Sequence, residues 1–256
     1  MSVYDNPLYY EVAFSFFDVK KQVDAFEAMI ERFSRVRVKR FLDVACGPSL
    51  QLRELARRGY EALGLDNSSK TLEYLVDRAK EEGLRIEIVQ ADMCSFRLKA
   101  KVDFAFVMMG SLVTDSNAKL LGHLDAIAAA LRSGGLYFIQ NKVVDWTRMG
   151  RGKWTSERAG VTVNTTFGTR WKDVINQIYT EKLILKVDDH GKEVMLESEE
   201  DYKFVFPQEF KTLIALNGKF EFLGWWEGTE STWFLDKPLD EAKTPSNFNM
   251  VLLRRK

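Results

Sequence analysis

Three carboxylates in the first half of the chain stand within or directly after hydrophobic stretches. Asp43 lies in the string FLDV (residues 41–44), Asp66 ends the string LGLD, and Asp92 follows the alternating string RIEIVQ. A turn of small residues, ACGPS at 45–49, separates the first two acids. Such a turn lets the backbone approach a ligand closely, and an acid after the next strand can accept hydrogen bonds from ribose hydroxyls. The spacing therefore predicts a pocket for a nucleoside.

Other catalytic chemistry has few candidate residues. The only cysteines are Cys46 and Cys94, and the only histidines are His123 and His190. No histidine stands near Cys46 in the sequence, so we interpret this cysteine as a small residue that fills a tight turn. The two histidines are interpreted as structural or solvated. The sequence indicates no metal site and no catalytic triad, and it assigns no catalytic residue.

The elements that must position these acids alternate between strand and helix. Hydrophobic periodicity predicts helices over 20–34, 50–58, 70–82 and 117–132, and strands over 39–45, 60–65, 85–90, 102–109 and 136–141. Five such alternations predict an α/β fold with a parallel, doubly wound sheet. The carboxyl ends of its strands would bring the acids together.

The pattern changes after residue 143. Antiparallel strands are predicted over 160–167, 173–187 and 193–205, followed by a helix over 208–217 and two strands over 219–226 and 247–253 that should pair antiparallel. All six tryptophans lie after residue 140. We expect four regions: an N-terminal helical cap (1–38), a cofactor-binding core (39–142), an antiparallel β insertion (143–206), and a C-terminal helix and strand pair (207–256). The insertion is a candidate lid, substrate region or homodimer surface.

The turn departs from the pattern of dinucleotide-binding proteins. That pattern, G-x-G-x-x-G/A, ends in a small residue that lets the helix pack on the strand, and Leu50 occupies this position. The predicted antiparallel pair at the end of the chain also departs from an all-parallel dinucleotide sheet. Both features argue against NAD.

Five motifs resemble those of class I S-adenosylmethionine-dependent methyltransferases. LDVACGPS resembles motif I of that family, with Asp43 as its acid and with Ala45, Gly47 and Ser49 at its three glycine positions. LGLD, QADM, VDFAFVMMGS and LRSGGLYFI follow in the family's order, so the resemblance spans residues 39–142. It implies a Rossmann-like, seven-stranded, mostly parallel sheet whose last strand is reversed. The N-terminal string YDNPLYYEVAFSFFD resembles the start of small-molecule members of the family.

The resemblance implies a set of binding residues. Asp66 would bind the ribose, Asp92 would face the adenine amine, and the N-terminal tyrosines would close over the methionine end of the cofactor. The implied cofactor contacts are Tyr9, Tyr10, Asp43, Ala45, Cys46, Gly47, Asp66, Asn67, Asp92, Met93 and Met108. Candidate acceptor contacts are Gly110, Ser111, Trp146 and Trp154, the tryptophans flanking a basic stretch.

The expected function is methyl transfer from S-adenosylmethionine to a small-molecule acceptor in the cytoplasm, with the attacked atom left open. The N-terminus shows no signal-peptide pattern, and the apolar runs are too short to cross a bilayer. Methylation of RNA, DNA or protein is an alternative. Against it stand the balanced charge (37 basic, 37 acidic residues) and the loop MMGS, which lacks the (D/N)-P-P-(Y/F) motif. A non-catalytic S-adenosylmethionine-binding module and an NAD-linked oxidoreductase are further alternatives.

Overall fold

Helices and strands alternate through the first half of the chain. The computed structural model describes residues 2–145, 149–242, 244–245 and 248–256. Its helices are α1 (Pro7–Ala13), α2 (Val19–Phe33), α3 (Leu50–Arg57), α4 (Ser69–Glu81), α5 (Asn117–Ala130) and α6 (Pro207–Asn217). Its strands are β1 (Arg40–Val44), β2 (Glu61–Asp66), β3 (Ile86–Gln90), β4 (Val102–Val107), β5 (Leu131–Gln140), β6 (Arg151–Arg158), β7 (Val161–Asp173), β8 (Ile178–Asp189), β9 (Lys192–Lys203), β10 (Phe220–Gly228), β11 (Trp233–Pro238) and β12 (Phe248–Arg255).

The larger sheet has the order β11-β10-β12-β5-β4-β1-β2-β3. Strands β1 to β5 pair in parallel, whereas β12 runs antiparallel to both β5 and β10. The predicted mostly parallel sheet with a reversed last strand is confirmed. It has eight strands rather than seven because β11 pairs with the outer edge of β10. This short strand ends in a proline, as an edge strand tolerates.

Apolar side chains cover both faces of this sheet. Helices α2, α3 and α4 pack on one face through residues such as Phe26 and Leu55, and α5 and α6 pack on the other through Leu124 and Phe210. Strand β4 is buried along its whole length, as its continuous apolar run predicts. The carboxyl ends of β1, β2, β3 and β4 are left for a ligand at one edge of the sheet.

A second, antiparallel sheet follows in the order β6-β7-β8-β9. The prediction of strands in this region was right in kind but wrong in detail. Strand β6 was not predicted, because its sequence RGKWTSER lacks an alternating apolar pattern. Strand β7 continues to Asp173, and β8 begins only at Ile178. Between them Asp173 accepts a hydrogen bond from the Asn176 backbone N–H at 3.0 Å and forms a turn inside the strand predicted over 173–187.

The N-terminal segment joins the two sheets. Val3 and Val12 pack against apolar residues of the second sheet, among them Leu185. Glu11, whose side chain is fully buried, forms ion pairs with Arg53 of α3 and with Arg158 of β6. A single carboxylate therefore links the first half of the chain to the second sheet. Among the described residues, no helix has both the length and the apolar character that a membrane span requires.

Candidate active site

The turn between β1 and α3 has an unusual backbone. Ala45, Gly47 and Ser49 all have positive φ angles, of 54°, 54° and 26°. The Gly47 N–H donates a hydrogen bond of 2.9 Å to Asp66 Oδ2, across the nineteen residues that separate them in sequence. A Cβ atom built on Gly47 would meet no heavy atom within 4 Å. The turn thus borders open space at the carboxyl ends of β1 and β2.

Ser49 has a structural role at a position where the family pattern has glycine. Its hydroxyl donates to Asp43 Oδ2 at 2.6 Å and accepts from the Leu52 N–H at 3.1 Å, which caps α3. Burial raises the pKa of Asp43 well above its usual value, although the Ser49 hydrogen bond opposes the shift. Asp43 is 2% exposed, and it supports the turn through its hydrogen bond with Ser49. The departure from glycine is therefore compensated by two hydrogen bonds.

Asp66 presents a half-buried carboxylate at the end of β2. Besides the Gly47 N–H, it accepts the Ser68 N–H at Oδ1, at 3.0 Å. Each oxygen accepts one of these hydrogen bonds and keeps a second lone pair for a hydroxyl. The next residue, Asn67, is exposed, and its carbonyl accepts a bond from Gln90. This geometry suits a ribose diol beside the turn.

Asp92 and Met93 follow β3 on the same edge of the sheet. Asp92 is exposed and accepts the Cys94 N–H at 2.7 Å. The Met93 carbonyl lies 2.9 Å from Nδ1 of His123, whose Nε2 lies 2.6 Å from the Tyr137 hydroxyl. Burial lowers the pKa of His123 to about 4, so the ring is neutral at pH 7. Because a carbonyl only accepts, Nδ1 must donate to it, and His123 fixes the backbone of this segment.

Cys46 is a packing residue. A Cβ atom on Gly64 of β2 would lie 2.9 Å from the Cys46 sulfur, so the thiol occupies the space that this glycine leaves. Burial raises the pKa of Cys46 well above its usual value, and nearby Asp43 and Asp66 add to the shift. A thiol of this kind is a poor nucleophile.

The loop after β4 is held by the end of β5. Met108 is buried, and the Met109 N–H donates to Gln140 Oε1 at 2.7 Å. Lys142 Nζ donates to the Leu112 carbonyl at 3.1 Å, and burial lowers the pKa of this lysine to about 8. Sequence reasoning missed both supporting residues. Their position directly at the carboxyl end of the fifth predicted strand was the available signal.

Gly110 and Ser111 lie in this same loop. Gly110 has a φ of 74°, and the Ser111 N–H donates to the Met108 carbonyl at 3.0 Å. Both residues are partly buried. They therefore border the edge of the sheet where the turn and the acids meet.

Tyr9 and Tyr10 interact with different parts of the molecule. The Tyr9 hydroxyl donates to Asp189 of the second sheet at 2.9 Å and so is directed to that sheet. Burial raises the pKa of Tyr10, and the charges of Glu181 and Asp66 add to the shift. Tyr10 therefore lies within electrostatic reach of the acid at the end of β2.

Of the two predicted acceptor tryptophans, Trp154 lies among the described residues. Trp154 Nε1 donates to the Ala13 carbonyl at 2.7 Å, and its ring lies 5.5 Å from that of Phe14. This contact ties β6 to the end of α1. Trp146 lies outside the residues that the structure describes.

These residues fit S-adenosylmethionine. The open turn at Gly47 admits the backbone approach that the nucleoside needs, Asp66 has free acceptor capacity for ribose hydroxyls, and the segment at Met93 is fixed beside it. Among the described residues, no group of three or more side chains could hold a metal ion. The donor set is that of an organic cofactor pocket.

Comparison with known proteins agrees with this geometry. Residues 41–135 match the model of a family described as "Methyltransferase domain". No curated protein sequence matches the chain. The sheet order, the motif geometry and the family match define a class I methyltransferase fold. Residues 41–135 therefore match a methyltransferase domain, and the fold of the whole chain is that of S-adenosylmethionine-dependent methyltransferases.

Solved structures resemble the chain over nearly its full length. An S-adenosylmethionine-dependent methyltransferase from Clostridium acetobutylicum is 14% identical, with a TM-score of 0.74 and coverage of 97% of this chain and 96% of the other. DesVI from Streptomyces venezuelae is 17% identical, with a TM-score of 0.76 and coverage of 97% and 96%. The sugar N-methyltransferase KedS8 from Streptoalloteichus is 20% identical, with a TM-score of 0.68 and coverage of 93% and 89%. The resemblance includes the second sheet as well as the core.

Proposed function

We propose that this enzyme transfers a methyl group to a small molecule bound between the carboxyl edge of the larger sheet and the second sheet. The observation that carries the proposal is the hydrogen bond from the Gly47 N–H to Asp66, which joins the small-residue turn to the ribose acid. The solved structures with the same fold include a sugar N-methyltransferase and an amino pentose methyltransferase. These neighbours support a small-molecule acceptor.

The binding roles follow from the site geometry. Asp66 accepts hydrogen bonds from the ribose hydroxyls, the Ala45–Ser49 turn lies against the nucleoside, and Asp92 and Met93 border the adenine. Asn67, exposed after Asp66, borders the ribose. Tyr10 covers the cofactor from the N-terminal side. The Tyr9 hydroxyl is already bonded to Asp189, so we assign Tyr9 to the second sheet and give it no cofactor contact.

The bound cofactor supplies a methyl group on a positively charged sulfur. The protein's task is alignment of the acceptor atom with that methyl, because holding two reactants in line removes a large part of the barrier. Gly110 and Ser111, in the loop held by Gln140 and Lys142, border the acceptor. Exclusion of water by the N-terminal tyrosines and the second sheet strengthens the electrostatic contacts in the site.

The regions would then have separate tasks. Residues 39–142 bind the cofactor, residues 143–206 act as the lid over the acceptor, residues 1–38 link the two, and residues 207–256 complete the larger sheet. We propose that this lid also forms a homodimer surface, because Val174 and Ile175 are exposed at the turn between β7 and β8. Light scattering during gel filtration tests this point, since a monomer at micromolar concentration contradicts it. The two unpaired cysteines suit the reducing cytoplasm.

Substitution of Asp66 tests the cofactor assignment. Asp66→Ala should weaken S-adenosylmethionine binding by about 1–3 kcal/mol, or roughly 5- to 150-fold, through loss of the ribose hydrogen bonds. Calorimetric titration measures the affinity, and circular dichroism checks the fold. Asp77→Ala, an exposed acid on α4 paired with Lys80, is the matched control and should bind normally. Unchanged affinity in folded Asp66→Ala would refute the ribose assignment.

A non-catalytic binding module is the second candidate function. It is distinguished by turnover. An enzyme produces S-adenosylhomocysteine from S-adenosylmethionine with at least one acceptor of a broad small-molecule panel, whereas a binding module shows affinity for the cofactor and no turnover across that panel.

A further inference from the structure

The face of the second sheet that packs on α1 changes character along its strands. We call it the inner face; at one end of β8 and β9 it carries the apolar residues Leu185 and Leu196. At the other end it carries Glu181 and Tyr179 of β8. Glu200 and Tyr202 of β9 lie directly opposite Glu181 and Tyr179 in the register. An apolar surface therefore gives way to one with carboxylates and phenols.

Along the stretch of β8 and β9 that contains Glu181, the carboxylates of the inner face lack basic partners in the described part of the chain, whereas those of the outer face are paired. On the outer face Lys182 contacts Glu197 at 2.6 Å and Glu199 at 3.2 Å. Asp201, also on the outer face of β9, pairs with Lys172. Glu181 and Glu200 form no ion pair or side-chain hydrogen bond with any described residue. Glu200 is exposed to water, but Glu181 is partly buried, and like charges directly opposite each other destabilise a sheet, so a cation from outside the chain would stabilise Glu181.

Four tyrosines surround this position. The ring centroids of Tyr179 and Tyr202 lie 5.9 Å apart, and those of Tyr4 and Tyr10 lie 6.0 Å apart. Burial raises the pKa of Tyr4 to about 12, and the charge of Glu181 adds to the shift. Glu181 also raises the pKa values of Tyr10, Tyr179 and Tyr202, secondary to burial. All four phenols therefore lie within electrostatic reach of one carboxylate.

Burial also acts on the carboxylate itself. Glu181 is partly buried, and removal from water raises its pKa to about 7. No positively charged neighbour among the described residues opposes this rise in the pKa of Glu181. A bound cation would restore the charged form, because an opposite charge at close range favours ionisation.

Contacts with the core direct this group toward the cofactor edge. Tyr10 is within electrostatic reach of both Glu181 and Asp66. The Tyr4 carbonyl accepts a hydrogen bond of 3.3 Å from Thr71 in the first turn of α4, the helix that follows Asp66. At the end of β9, the Lys203 N–H donates to the Thr114 carbonyl of the loop after β4 at 2.8 Å. Tyr10 thus interacts with both the ribose acid and Glu181.

We propose that the acceptor carries a basic amino group, and that its ammonium form binds between Glu181 and the four tyrosine rings. This inference rests on the proposed methyl transfer and names its substrate class. Aromatic faces attract a cation, and a carboxylate supplies the opposite charge. A neutral hydroxyl in the same place would leave Glu181 and Glu200 uncompensated. Glu181 is therefore a specificity-determining residue.

Matched pairs of probes test the inference. Saturation-transfer NMR on the S-adenosylhomocysteine complex would compare cyclohexylamine with cyclohexanol and tetramethylammonium with tert-butanol. We expect the cationic member of each pair to bind at least tenfold more tightly. Glu181→Gln should abolish most of that preference. Glu197→Gln, on the outer face of the adjacent strand, should keep it.

The outcomes separate the inference from the proposed function, because S-adenosylhomocysteine affinity is measured on the same samples. An equal affinity for amine and alcohol in the wild type overturns the inference, as does a preference that survives in Glu181→Gln. Absence of S-adenosylhomocysteine binding to the wild type would instead contradict methyl transfer. Similar S-adenosylhomocysteine affinity in all three proteins, with amine preference lost only in Glu181→Gln, supports both.

Discussion

The two sheets of this enzyme build their ligand-facing surfaces in different ways. In the larger sheet the surface is made by backbone: strand ends, a turn of positive φ angles, and one acid that receives an N–H from that turn. In the second sheet the proposed surface is made by side chains on a regular ladder, where Lys182 pairs with acids on one face and Glu181 on the other face has no basic partner among the described residues. A backbone-built site suits a cofactor shared by many enzymes. A side-chain-built site can change with the acceptor while the strands stay in place.

The largest effect is expected where the two regions are joined. Glu11→Gln removes the carboxylate that Arg53 and Arg158 share, and should lower the free energy of unfolding by about 3 kcal/mol, because breaking a buried ion pair leaves its partners uncompensated. Urea denaturation measures it. Glu157→Gln, next to Arg158 but exposed, is the control and should change stability by less than about 0.5 kcal/mol. Equal stabilities of the two variants would mean that Glu11 does not join the regions.

A smaller effect is expected within the backbone-built region. Ser49→Ala removes the cap of α3 and the hydroxyl that donates to buried Asp43, and should lower the free energy of unfolding by about 2 kcal/mol. Ser68→Ala removes only side-chain bonds at the start of α4 and should cost about 1 kcal/mol. Chemical denaturation compares the two. If Ser49→Ala lowers the free energy of unfolding no more than Ser68→Ala does, the buried Asp43 side chain does not need the hydrogen bond from Ser49.

The smallest effect is expected in the side-chain-built region, and it has the opposite sign. Glu181→Gln should raise the melting temperature by roughly 2–4 °C at pH 8, because it removes an uncompensated carboxylate. Folding raises the pKa of Glu181 from 4.5 to about 7. Protonated Glu181 therefore contributes fully to the free energy of unfolding below pH 4.5, and this contribution is lost as the pH rises through 7. The gain should therefore shrink at pH 5.

Calorimetry at both pH values measures this difference. Glu197→Gln loses an exposed ion pair and should show no gain at either pH. A melting temperature of Glu181→Gln at or below that of the wild type at pH 8 would contradict the assignment of an uncompensated charge to the inner face.

The parts of the fold that the sequence predicted are those with strong local patterns. The apolar run of β4 and the alternation of strands with helices predicted the larger sheet, and the run of small residues predicted the tight turn at 45–49. Strands β6 and β11 were missed because they lack an apolar alternation and gain their place only by pairing with a neighbour. The turn at Asp173 was hidden inside a long strand-like stretch.

The sequence suggested the turn and the acids of the candidate site, but it did not suggest Glu181. Glu181 stands in the charged string TEKL, where nothing in the sequence distinguishes it from Lys182 beside it. Only the register of β8 and β9 assigns the two to opposite faces. Likewise the support that His123 gives to Met93 depends on a contact across thirty residues. Long-range pairing of this kind cannot be read from local periodicity.

The most direct test of the central claim is a calorimetric titration of the wild-type protein with S-adenosylmethionine, S-adenosylhomocysteine and NADH. The turn at Gly47 and the acid at Asp66 predict that the first two bind with one molecule per chain and that NADH does not. Binding of NADH alone would contradict the cofactor assignment and, with it, the division of tasks between the two sheets.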